Sequence, residues 1–132
     1  MIALDTSFLV QYFTQSSVRQ SRRANRFIRG HIRHHGRRSR FAIGIVVLCE
    51  LARVLRDAHG IPKDEIVEVL DRILATPQFV VPHRPALHRA LNAYRTGTGD
   101  FADYVSAMAT ETVQKTVTFD RALRADSRFR IL

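Results

Sequence analysis

Four carboxylates occupy places where a basic chain has little obvious reason to keep them. Asp5 ends the apolar run Met1-Ile2-Ala3-Leu4, and Asp120 ends Thr116-Val117-Thr118-Phe119. Glu50 interrupts Ile45-Val46-Val47-Leu48-Cys49-Glu50-Leu51, and Asp103 lies within Asp100-Phe101-Ala102-Asp103-Tyr104-Val105. A carboxylate drawn away from water is costly unless it is hydrogen-bonded, paired or bound to a cation. Acids at the ends of two apolar strands and inside two apolar helices suggest a site for a hard cation held through oxygen. Glu50 has Val46, Val47, Arg53 and Val54 three and four residues away. Three of these are apolar, so its carboxylate is expected to point toward covered surface.

Each acid also has a simpler role. Asp5 and Asp120 can cap the helices that follow them. Asp100 and Asp103, three apart, fit a capping pair. Glu50 can pair with Arg53, although a surface ion pair is worth only ~0–1 kcal/mol. The caps explain the acids one at a time, whereas a cation site explains four together.

The second chemical feature is a row of arginines. At ~100° per residue, Arg19, Arg22, Arg26, Arg29 and Arg33 share one side of a helix over residues 19–35. Ala24, Phe27, Ile28, His31 and Ile32 fall on the other side, where they can pack. The row suits phosphate contact, docking of an acidic partner segment, or simple solvation. His31, His34 and His35 suggest a transition-metal site, but no cysteine or acid stands near in sequence to complete one.

The elements that must position these residues alternate. Strands are expected at residues 2–4, 41–43, 79–81, 115–118 and 129–132. Helices are expected at 6–13, 19–35, 45–59, 62–75, 85–95 and 101–113, with a short one at 121–124. Gly60 can close one helix, and Pro62 can open the next in its first turn. Strands separated by helices imply an α/β fold, a mostly parallel central sheet of four to five strands flanked by helices. Ligands of such sheets bind at the carboxyl ends of the strands. The apolar helices 45–58 and 62–75 supply either core or a dimer surface.

Here the chain resembles a known family. Leu4-Asp5-Thr6-Ser7-Phe8-Leu9-Val10 resembles the opening of a PIN domain. Leu48-Cys49-Glu50-Leu51-Ala52-Arg53-Val54-Leu55 is similar to its second motif, and Asp100-Phe101-Ala102-Asp103-Tyr104-Val105-Ser106-Ala107 to its third. Thr118-Phe119-Asp120 is similar to its fourth. The order, spacing and length resemble the VapC-type toxins of bacterial toxin–antitoxin pairs, and the likeness covers almost the whole of residues 1–132.

The resemblance implies a single PIN-like domain and a Mg²⁺- or Mn²⁺-dependent ribonuclease. It implies Asp5, Glu50, Asp103 and Asp120 as catalytic, metal-binding acids, with Asp100 as an accessory. Ser7 and Thr118 match positions where such domains place a hydroxyl or amide near the acids. It also implies a homodimer restrained by a cognate antitoxin. Carboxylates held close together repel, so without a cation at least one should have a raised pKa. Such a site needs no catalytic His, Cys or Lys.

Composition sets the frame. The chain has 132 residues, 45% of them hydrophobic, enough for one domain with a real core. Its single cysteine, Cys49, rules out an intramolecular disulfide. No apolar run approaches the ~20 residues of a membrane span, and the N-terminus does not read as a signal peptide, so a cytoplasmic protein is expected. The formal net charge is +9, from 19 Arg and 2 Lys against 12 acids. That excess favours polyanionic partners, RNA above all. A non-catalytic basic RNA-binding module is the main alternative, and it leaves the four acids unexplained. A haloacid-dehalogenase-type phosphatase would need an Asp where Ser7 stands.

Overall fold

The computed structural model describes residues 1–108 and 114–132. Within them the chain alternates short strands with longer helices. β1 (Ile2–Ala3) leads into α1 (Thr6–Thr14) and α2 (Val18–His35). β2 (Phe41–Ala42) is followed by α3 (Ile45–Asp57) and α4 (Lys63–Ala75). β3 (Phe79–Val80) precedes α5 (Arg84–Thr96) and α6 (Phe101–Met108). β4 (Thr116–Thr118), a 3-10 turn at Arg121–Leu123 and β5 (Phe129–Ile131) complete the order. The expected helix over 101–113 is seen to Met108, and its last five positions lie outside the described residues.

Local chemistry sets most boundaries. Asp5 caps α1 by accepting from Phe8 N, and Ser17 caps α2 by accepting from Gln20 N. α1 ends at Gln15, which is left-handed at φ 55°. α3 stops at Asp57, short of the expected residue 59, and Gly60 turns the chain at φ +60°. A side chain is strained in that region, which suits glycine. Pro62 is the N-cap of α4 rather than part of its first turn, with Asp64 and Glu65 just inside the helix. Their charges oppose the positive helix end.

Every strand pairing is parallel, as expected of crossover connections. The order β1-β2-β3 forms one sheet, with Ile2 beside Phe41 and Phe41 beside Phe79. Leu4 N→Ala42 O at 2.9 Å and Ile43 N→Val80 O at 2.9 Å carry the ladder slightly further. β4 and β5 form a separate pair, Thr116 beside Phe129. The single sheet of four to five strands is therefore corrected to a three-stranded and a two-stranded sheet among the described residues. Strands of two or three residues offer few ladder bonds, and the outer strand β1 exposes Met1 and Ile2 rather than burying them. Val117 and Phe119 are exposed too, so the segment before Asp120 is not a buried apolar strand.

The core is built mainly by helices. α3 packs against α1, α4 and α6, and α5 bridges α4 and α6. Leu48, Leu51 and Leu55 of α3 are buried, with Ile66, Leu70 and Ile73 of α4 beside them in the same core. Burying each such side chain contributes roughly 1.5–3 kcal/mol. The apolar faces of these two helices thus serve the core of one chain. Leu4, Phe41 and Ile43 join that core and anchor the first sheet to it. No helix of the described residues is long and apolar enough to cross a membrane.

In α2 the buried stripe is Ser21, Ala24 and Ile28. Phe27 and Ile32, expected to pack, are 41% and 42% exposed. They sit on the flanks of a stripe narrower than helical periodicity suggests. α2 meets α1 and the turn at Gly36–Arg38, and Phe41 of β2 lies against Phe27 and His31.

Candidate active site

Asp5 stands just past the carboxyl end of β1 and opens α1. Its Oδ1 accepts from Phe8 N at 3.0 Å and from Ser7 Oγ at 3.0 Å. The Phe8 N–H, then the Ser7 hydroxyl, hold the carboxyl below its ordinary range despite slight burial. Asp5 is thus a helix cap and an ionised group at once. Ser7 is the hydroxyl beside it.

Glu50 is exposed, which corrects the expectation that it points toward covered surface. It lies on the solvent side of α3 with Val46, while Leu48, Leu51 and Leu55 take the core side. It does not pair with Arg53. Instead its Oε2 accepts from Thr6 Oγ1 at 2.8 Å. Thr6 follows Asp5 directly, so this bond ties α3 to the residue after Asp5. Thr6 was not foreseen as part of the site. A hydroxyl adjoining Asp5 was the available signal.

A second group forms around the start of α6. Asp103 Oδ2 accepts from Asp100 N at 2.9 Å, and Asp103 N donates to Asp100 O at 3.1 Å. This is one half of the capping pair: the Asp103 carboxylate binds back to Asp100 N, while Asp103 N bonds the Asp100 backbone carbonyl rather than its side chain. Burial raises the Asp103 pKa; the Asp100 N–H opposes that, and the charges of Asp100 and Asp120 add to it. The Asp100 carboxylate is engaged by Arg56, which also binds Asp57. Asp100 therefore carries its own counter-charge, which suits an accessory role. Arg56 was likewise not foreseen; it is one residue in an Arg-rich chain, and its partner is remote in sequence.

Asp120 stands past the carboxyl end of β4. Its Oδ1 caps the following 3-10 turn by accepting from Ala122 N at 2.9 Å. Its own N–H donates to Thr118 Oγ1 at 3.0 Å. Like Asp5 and Glu50 it is exposed, whereas Asp103 is half-buried. The cost of burial therefore bears chiefly on Asp103.

A common pattern runs through the set. Each of Asp5, Glu50, Asp103 and Asp120 commits one carboxylate oxygen to a protein hydrogen bond. The other oxygen of Glu50, Asp103 and Asp120 has no hydrogen-bond partner among the described residues, and the Asp5 carboxylate also takes a hydrogen bond from Ser7 N. The donors are all oxygen, which fits a hard cation such as Mg²⁺ or Mn²⁺ in type. As the side chains stand, no three acidic, histidine or cysteine groups among the described residues are gathered closely enough to hold an ion. That includes His31, His34 and His35.

The arginine row of α2 is where helical geometry put it. Arg19, Arg22, Arg26, Arg29 and Arg33 are all exposed, and none forms an ion pair among the described residues. Four of them, Arg22, Arg26, Arg29 and Arg33, line an open groove of about 440 Å³ with Asn25 and Gly30. A separate cleft of about 400 Å³ separates α1 from α2 and reaches Asp5. Comparison of the chain with protein-family models, with curated proteins and with solved structures found no match.

Proposed function

We propose that this chain is a divalent-cation-dependent endoribonuclease. The observation that supports it is the set of four acids from different elements, each bound through one oxygen by a protein donor, with the other oxygen of Glu50, Asp103 and Asp120 unpartnered among the described residues. Asp5, Glu50, Asp103 and Asp120 would hold the ion, and Asp100 would assist them. Mg²⁺ or Mn²⁺, when bound there, would supply Lewis acidity and an activated water. The chain's own residues do the rest. Ser7 and the Phe8 N–H keep Asp5 ionised and fixed. Thr6 binds Glu50, and burial, with the charges of Asp100 and Asp120 adding to it, raises the Asp103 pKa, a cost that a cation would relieve. The arginines of α2 draw the phosphate backbone in. Hydrolysis by water in line with the 3′ oxygen leaves a 5′ phosphate. In the cell the chain would act as a homodimeric toxin, held in check by a small antitoxin, as the motif resemblance implies.

The decisive variants must spare the caps. Asn caps a helix about as well as Asp, so Asp5→Asn removes the charge and keeps α1 intact. Glu50→Gln does the same for the Thr6 bond. Purified protein incubated with a mixed RNA pool should cleave with Mg²⁺ or Mn²⁺ and stop with EDTA. Both variants should lose about a hundredfold in rate, the scale of losing one preorganised electrostatic group. Cleavage that survives EDTA and both substitutions sinks the proposal.

A second reading is a non-catalytic RNA-binding module. It is favoured by the caps, which account for Asp5 and Asp120, and by the ungathered acids. RNA binding with no cleavage under any metal selects it.

A further inference from the structure

The cleft between α1 and α2 carries features that neither the acids nor the arginine row explain. Gln20, Arg23, Ala24 and Phe27 face it from α2, and Asp5, Ser7, Phe8 and Gln11 from α1. The α2 set recurs at three- and four-residue steps, so it forms one stripe, with Ala24 shared with the buried stripe. That stripe lies between the buried stripe and the arginine row.

We propose that this cleft seats one unpaired nucleotide of an RNA strand beside Asp5. The proposal rests on the RNA reading above and extends it to the form of the substrate. Phe27 supplies an aromatic surface, 41% exposed. Its ring meets Phe8 edge to face, 5.8 Å apart at 78°, and meets Phe41 and His31 tilted, each at 6.3 Å, so it is braced by three rings and stacked on none of them. A base can stack on such a ring whatever its sequence. Gln20 offers a carboxamide, donor and acceptor both, and has no side-chain partner among the described residues. Arg23 is exposed and equally unpartnered, so it is free for a phosphate. Gln11 differs: its amide oxygen already holds Ser17 N at 2.8 Å, so it shapes the wall. The volume of about 400 Å³ lies within the ~300–1,000 Å³ of small-molecule sites.

Charge orients the nucleotide. Without a cation, Asp5 repels phosphate, so in the metal-free protein the base occupies the Asp5 end and the phosphate turns toward Arg23 and the row beyond. An acidic peptide would find one cation balanced by one carboxylate here, with no net attraction. A base in a duplex cannot leave its stack cheaply, so single strands are favoured.

The test measures binding in EDTA, which separates it from cleavage. Fluorescein-labelled oligo(U), oligo(A) and oligo(C) hexanucleotides and a short RNA duplex are titrated by anisotropy. Phe27→Leu should weaken single strands by on the order of tenfold and leave the duplex unchanged. Arg23→Gln should reduce the salt slope for single strands by about 0.7. Gln20→Ala should narrow the spread among the three sequences. Thermal melts establish folding. If Phe27→Leu fails to fold, Arg23→Gln, an exposed substitution, and Phe27→Trp, which keeps the ring, decide the matter. Single-strand affinity within about twofold of wild type in both Phe27→Leu and Arg23→Gln overturns the proposal. So does displacement of labelled RNA by oligo-glutamate from wild type but not from Phe27→Leu. If wild type cleaves RNA while these variants bind normally, the cleft fails and the nuclease stands. If the variants lose binding but no metal supports cleavage, the cleft stands and the nuclease falls.

Discussion

At the scale of single residues, the same side chain serves structure and proposed chemistry, and pH separates the two. The bonds from Phe8 and Ser7 lower the Asp5 pKa in the folded state. A lowered carboxyl contributes stability above its unfolded value of ~3.9 and loses it as pH falls through the folded value. Asp103 has the opposite sign. Its charged form is disfavoured by folding, so stability falls as pH rises through its folded value. Urea unfolding between about pH 3 and pH 7 in EDTA checks both. Asp5→Ala should cost ~1 kcal/mol at neutral pH through the lost cap. Asp5→Asn should cost less there and flatten the acid limb. Asp103→Asn should match or exceed wild type at neutral pH, by less than ~1 kcal/mol because the site is largely solvated. The capping roles were legible in the residue types. The exposure of Glu50 was not, because its apolar neighbours in sequence say nothing of which side of α3 meets the core. Thr6, from another element, settles its direction.

At the scale of elements, α2 shows what periodicity can and cannot reveal. The arginine row follows from helical spacing, and its exposure agrees with it. The width of the opposite face does not follow, because the neighbours that cover it are remote in sequence. Phe27 and Ile32 are therefore left partly open. Likewise the five strand positions were legible from apolar runs between helices, but not their shortness. The row makes its own prediction. Gln has helix propensity close to Arg, so replacing Arg22, Arg26 and Arg29 together by Gln should leave the unfolding midpoint nearly unchanged. For single-stranded RNA each phosphate contact contributes about 0.7 to the slope of log affinity against log salt. The triple variant should lose about 2 from that slope. A slope that stays at the wild-type value would show that the row faces solvent or another partner.

At the scale of the whole molecule, the question is what ties the two-stranded sheet to the loop that carries Asp100 and Asp103. The pairing of strands is non-local, so the split between β1-β2-β3 and β4-β5 could not be read from the order of elements. The junction is the glycine-rich segment Gly97–Gly99 before α6. Lys63 of α4 binds Gly97 O, and Thr98 Oγ1 binds Ala122 O beyond Asp120. Gly99 N donates to the buried Tyr104 hydroxyl at 3.0 Å. A Cβ on Gly99 would overlap Leu123 Cδ2 and come within 3.3 Å of Asp103 Oδ2. Glycine is needed there for close approach, not for backbone freedom. Leu123, 2% exposed, thereby links the turn after Asp120 to the loop that presents Asp100 and Asp103. A double-mutant cycle reads this linkage directly. Gly99→Ala should cost ~1–3 kcal/mol by overpacking. Leu123→Ala should cost ~2–5 kcal/mol by leaving a cavity. Combined, the new methyl enters space that Leu123 vacated, so the double variant should be more stable than the sum of the two losses predicts, by about 1 kcal/mol. Strict additivity in urea unfolding would mean that the loop and the second sheet move independently. The acids around Asp103 would then lack the common frame that a shared cation requires.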